Sequence, residues 1–163
     1  MKPLFYIALI LCVSLFVLYP TFNLALLGDD WLAFHRYSQH LGPKSSGEFN
    51  HLTYFLTPYG AQDIMMGILQ KIYNYDSTKY YLTSYFLRII AAFSLYPLVT
   101  LLTNNSYSAI FAVLFFSITV AGFDTTNWSS NMTTYITIAA FNLFLFIFIK
   151  IRNEENFLKI LFA

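Results

Sequence analysis

The chain has 163 residues, of which 58% are hydrophobic, 20% aromatic and only 10% charged, with a mean hydropathy of +0.58. That balance excludes an ordinary soluble domain and points to an integral membrane protein. A net charge of +1 gives no electrostatic basis for binding nucleic acid, and a lone cysteine, Cys12, excludes a disulfide framework or a cysteine metal site.

The first apolar stretch, from about Pro3 to Leu27, is long enough to span a bilayer, which takes about 20 residues. Lys2 ahead of it also suits a secretory leader. The stretch is longer than the roughly 7–15 residues of a leader's apolar region, however, and no small-x-small cleavage site stands out near Ala25 or Gly28, so an uncleaved anchor is expected. Cys12 inside it reads as a packing residue.

Directly behind the anchor stands Gly28-Asp29-Asp30-Trp31. The segment from Asp30 to Leu41 suits a short surface helix, with one aspartate near its amino end, where exposed amides and the helix dipole favour a carboxylate. Capping accounts for one carboxylate and leaves the other for chemistry. Neighbours on a helix point about 100° apart, so the two do not form a proton-sharing dyad. A carboxylate beside apolar surface suits a general base acting on a hydroxyl, or alternatively a ligand for a divalent metal. Of the two, Asp30 is the preferred base and Asp29 the better-placed cap.

His35, His40 and His51 follow, but positions 35 and 40 are five apart and miss the i, i+4 spacing of a helical zinc pair. No metal site is expected from them. "LGPKSSGEFN" is rich in chain breakers. After it, Ala61, Ile64, Met65, Ile68, Leu69, Ile72 and Tyr73 recur at helical spacing, with Gln62, Asp63, Gln70, Lys71 and Asn74 on the opposite face. This amphipathic helix is expected to lie along the membrane surface, the alternative being a re-entrant or packing helix. Tyr59, at its start, is a candidate substrate contact.

A second span is expected over about Tyr80–Thr103, and Arg88 lies within it. An arginine at that depth needs an anionic partner unless it snorkels to the headgroups, so it is a candidate for gripping an outer-loop acid or a lipid-linked phosphate. A third span over about Tyr107–Phe123 and a fourth over about Met132–Ile149 flank the polar turn "GFDTTNWSSNMTTY". Trp128 offers a stacking face for a sugar and Asp124 an acceptor for its hydroxyls. The alternative is an interfacial turn with a belt tryptophan. Two glycosylation sequons, at Asn127 and Asn131, sit too near the bilayer to be expected acceptors. A fifth apolar stretch, from Phe157, runs only seven residues to Ala163.

The expected architecture is therefore an all-α polytopic bundle with about four complete spans, a truncated fifth and surface helices in the loop 28–79. Lys2, Lys150, Arg152 and Lys159 fall on one side, which the positive-inside rule makes cytoplasmic. The loop 28–79 holds all three histidines and five of the eight acids, so chemistry is expected there, on the outer face.

The order of anchor, "GDDW", a loop containing "PYGAQDIMMGILQKIY", then "STKYYLTSYFLRIIAAFSLYPLVTLL" and two close spans joined by a polar outer turn resembles the GT-C superfamily of membrane glycosyltransferases. The resemblance covers nearly the whole chain. It implies transfer of a sugar from a polyprenyl-phosphate donor to an acceptor at the outer face of a bacterial plasma membrane, with Asp30 or Asp29 as the base. Arg88, Asp124, Trp128 and Tyr59 would contact substrate. Family members have seven or more spans, so the chain is expected to be the amino-terminal part of a longer or split enzyme, whose remainder or a second subunit would be a partner beside membrane lipid and the donor. No cofactor is implied with certainty, and a divalent metal stays open. The competing expectation is a non-catalytic membrane protein, such as an assembly subunit or transport component. Transport is disfavoured because the third and fourth spans carry few polar groups, namely Ser117, Thr119, Thr137 and Asn142.

Overall fold

A computed structural model describes residues 3–42, 45, 47, 50–119 and 129–153, with side chains from residue 5 to residue 152. Among the described residues the chain is helical, with no strand. The elements are α1 (Pro3–Leu18), a 3₁₀ turn (Tyr19–Asn23), α2 (Gly28–His40), α3 (His51–Phe55), α4 (Gly60–Tyr73), α5 (Ser77–Thr103), α6 (Ser106–Ile118), a second 3₁₀ turn (Ser129–Met132) and α7 (Thr133–Asn153).

Three helical stretches are long and apolar enough to cross a membrane: Phe5–Asn23, Ser77–Thr103 and Ser129–Arg152. The first ends four residues short of the expected Leu27, because the chain leaves the helix after Asn23 and Leu24 and Leu27 are extended. The expected third span behaves differently. Its helix α6 has 13 residues, about 20 Å at ~1.5 Å per residue, which falls short of a hydrocarbon core of about 30 Å. Residues 120–123 of that expectation, and the truncated fifth span, lie outside the described residues.

Hydrogen bonds between helices fix their directions. Thr78 Oγ1 donates to Phe22 O, Tyr81 Oη donates to Ala25 O, and the Ser14 and Tyr85 hydroxyls share a bond of 3.2 Å, so α1 and α5 run antiparallel. α5 ends at Asn104 in the left-handed region, φ 52°, which asparagine tolerates, and the Asn105 side chain caps α6 by accepting from Tyr107 N. This tight turn makes α6 antiparallel to α5. Arg88 meets Tyr135 and Ser94 meets Asn142, so α7 runs parallel to α5. Each such bond contributes about 0.6 kcal/mol on average, a modest term beside the packing of small and aromatic residues at the seams.

α2 and α4 form a cap across one end of this bundle. Ala33 and Phe34 of α2 and Met66 and Leu69 of α4 join Tyr80, Met132 and Tyr135 in one buried cluster. The cap is tight because position 67 is glycine: a Cβ there would meet the Tyr37 ring at 2.4 Å. α4 corrects one expectation about its faces. Asp63, read as part of an outward polar face, is fully buried, whereas Ile68 and Ile72 are exposed. Its acid points into the protein while Ile68 and Ile72 point away, the arrangement suited to a helix lying against lipid.

Candidate functional site

The two aspartates of the motif separate completely. Asp30 has no solvent exposure: Oδ2 accepts from Leu27 N at 3.0 Å, and Oδ1 accepts from Ser130 N at 2.7 Å. The first bond is the return half of a capping box, a side chain at the third helical position reaching back to the N-cap amide. The second ties the start of α2 to the turn ahead of α7, one hundred residues away. Asp30, expected as the base, is thus the residue that caps, and Asp29, expected as the cap, stands half-buried with no hydrogen bond or ion pair among the described residues. Trp31 reinforces the helix start by donating from Nε1 to Leu26 O at 3.2 Å and packing on Phe34 and Tyr75.

A second cluster, not anticipated from the sequence, lies two turns along α2. Arg36 grips Asp63 with both arms, Nε to Oδ2 and Nη2 to Oδ1, each at 2.8 Å, and Tyr54 Oη donates to Oδ2 at 2.6 Å. Such forked, charge-assisted pairing is strong and geometrically demanding. The Arg36 guanidinium also lies over the Tyr59 ring, 4.6 Å from its centre. Hydrogen bonding to Asp63 holds the Arg36 proton more tightly than usual. Burial, then the bond to Asp63, pushes the Tyr54 hydroxyl well above the ordinary tyrosine value. Tyr59, expected as a substrate contact, is itself exposed and serves as the platform for Arg36. One signal in the sequence was available: Asp63 shares a helical face with Met66 and Gly67, and a glycine there marks close approach of another element.

Arg88 is buried in α5. Among the described residues its guanidinium donates to the carbonyls of Phe116 and Thr119 and to Tyr135 Oη, and it lies over the Tyr135 ring. Those carbonyls terminate α6, where a helix leaves its last acceptors unsatisfied and carries partial negative charge. The arginine thus closes a helix that stops partway along α5. Of the histidines, His40 packs on Tyr54 at 5.2 Å between ring centres, and His35 and His51 are exposed. Among the described residues no group of acids, histidines or cysteines is placed to hold a metal. Asp124 and Trp128 lie outside the described residues.

The structure therefore places Arg36 against Tyr59 on the cap, with Asp29 on the same helix, and separates Arg88 from them into the bundle. Asp29 and Arg36 are seven residues apart on α2, which puts them on one face about 10 Å apart. No protein-family model, curated protein or solved structure matches the chain.

Proposed function

We propose that the chain is a membrane glycosyltransferase-like module whose capped end works at the outer face. α6 and the residues after it would complete a fourth crossing, leaving Lys150 and Arg152 on the cytoplasmic side. The observation that carries this reading is that α2 carries on one face an open carboxylate, Asp29, and, two turns on, a cation held rigid by Asp63 and Tyr59.

In this reading the acceptor hydroxyl gives its proton to Asp29 as its oxygen bonds to the anomeric carbon of the donor sugar. The bond from that carbon to the polyprenyl phosphate breaks, and the phosphate oxygen leaves with the electron pair. Arg36 faces the leaving phosphate. Its orientation is set before substrate arrives, which spares the cost of ordering a long side chain during the reaction. Asp30 is a positioning residue that holds the start of α2 still. Arg88 does the same for α6.

A second reading, a non-catalytic assembly subunit, is favoured by one observation: the buried charges Asp30 and Arg88 both tie structural elements together. The two readings separate in a transfer assay on membranes containing the protein, supplied with a panel of polyprenyl-phosphate-linked hexoses and pentoses. Asp29→Asn should lower transfer by about 10²–10⁴-fold, the usual share of a general base, and Arg36→Gln should lower it as well. Full activity in Asp29→Asn ends the catalytic assignment, and no transfer by the wild-type protein from any donor leaves the assembly reading.

A further inference from the structure

Where the 3₁₀ turn that follows α1 passes α5 and α7, the three leave a crevice of about 10 Å³. Five of its seven lining residues carry a hydroxyl, among them Thr21, Ser84 and Tyr135, and Arg88 is a sixth polar one. All but Thr21 are less than a tenth exposed. Hydrocarbon gains nothing from such walls, and the room is too small for a lipid chain.

Hydrogen bonding within the protein accounts for most of these hydroxyls. Thr21 Oγ1 donates to Leu18 O at 2.7 Å, Tyr135 Oη accepts from Arg88 at 3.3 Å, and the Tyr85 hydroxyl meets Ser14 Oγ and Leu11 O, each at 3.2 Å. Ser84 is the exception. It is 6% exposed, and its side chain makes no hydrogen bond among the described residues, not even the return to a carbonyl one turn back that helical serines often make. A buried hydroxyl left in that state costs free energy, the more so in a bilayer, where bulk water does not reach it.

A water molecule requires about 10–15 Å³ and two to four polar partners. The crevice provides both. Ser84 has a proton to give, and Thr21 Oγ1 and Tyr135 Oη each keep a lone pair. We propose that the crevice is a binding site for one ordered water, which accepts from Ser84 Oγ and donates to Thr21 Oγ1 and Tyr135 Oη. The water fastens the end of the anchor to α5 and α7 beside Arg88.

The test is a crystal structure of the full chain grown from a lipidic mesophase, at a resolution that shows ordered water, for the wild-type protein and for Ser84→Ala. The wild type should show one density peak within about 3 Å of Ser84 Oγ, and Ser84→Ala should lose it. Thermal unfolding in nanodiscs gives a second readout that does not depend on crystals. With the water bound, Ser84→Ala should lower Tm by about 2–4 °C, the shift of one neutral hydrogen bond, although alanine is the better helix former. A dry crevice reverses the sign, because the substitution then removes a buried hydroxyl that has no partner. No peak in a wild-type map that shows waters elsewhere in the protein overturns the site, and so does a Tm that rises or stays unchanged in Ser84→Ala. Crystals grown with bromide in place of chloride identify the competing occupant, a halide drawn by Arg88: anomalous scattering at the peak overturns water.

Discussion

A carboxylate with no solvent exposure must be held by donors, and Asp30 takes one from each side of the cap, Leu27 N and Ser130 N. Removing it by Asp30→Ala strands the buried Ser130 amide and loses the return half of the capping box, for a cost of about 2–4 kcal/mol in denaturant or thermal unfolding. Asp29→Ala, at a half-buried position with no partner among the described residues, should stay within about 0.5 kcal/mol of wild type. Equal losses in the two variants would contradict the division of roles. The acidic pair was legible in the sequence as a pair, but not which member turns inward, because that depends on an amide one hundred residues away. Tyr54 offers a test through pH. Its hydroxyl is harder to ionise than an ordinary tyrosine, first from burial and then from its bond to Asp63. Its raised value in the fold means that its stabilisation is complete below the ordinary value near 10 and is lost as pH rises beyond it, since the unfolded chain releases the proton first. Unfolding midpoints should therefore fall above about pH 10, and Tyr54→Phe should reduce that fall while costing about 1.5–3 kcal/mol at neutral pH for the lost bond to a charged acceptor.

At the scale of elements, α4 shows how a tertiary contact reverses a local preference. Alanine is favoured over glycine inside a helix by about 1 kcal/mol, so Gly67→Ala would stabilise an isolated α4. In the fold its methyl would meet the Tyr37 ring at 2.4 Å, and the helices would have to part. Net destabilisation of about 1–3 kcal/mol is expected, measured by thermal unfolding, and relieved in the double variant Gly67→Ala with Tyr37→Ala relative to the sum of the singles. The helical period of α4 was readable from its apolar residues. Its buried side was not, because the choice between two faces was decided by Arg36 on another helix, with which Asp63 makes its ion pair. α6 poses the complementary case: apolar character continued past its helical end, so composition alone extended it. What ends it usefully is a cation from α5, and Arg88→Leu should leave the Phe116 and Thr119 carbonyls without that donor. Amide exchange in the last turn of α6 should rise at least tenfold, with α1 unchanged, and Arg88→Lys should restore part of the protection as a single donor without the fork.

For the whole molecule, the directions of the helices decide what membrane arrangement is consistent with three long helices and one short one. α5 leads away from the cap, α6 turns back toward it, and the chain must regain the cap by Ser130, whose amide bonds Asp30, before α7 departs again. Whatever path the intervening residues take, the turn at Asn104 and the far end of α7 lie at one end of the bundle and α2 at the other. Single cysteines placed at Gln39, Asn104 and Arg152, in a Cys12→Ser background, convert this into a labelling experiment with an impermeant maleimide on intact cells and on inverted vesicles. Gln39→Cys should react from one side, Asn104→Cys and Arg152→Cys from the other. In the proposed orientation, which places Lys150 and Arg152 at the end of α7 inside, the second side is the cytoplasmic one. Labelling of Asn104→Cys from the same side as Gln39→Cys would mean that α5 does not cross, despite its 27 residues, and would remove the outer-face placement on which the transferase reading of Asp29 and Arg36 depends.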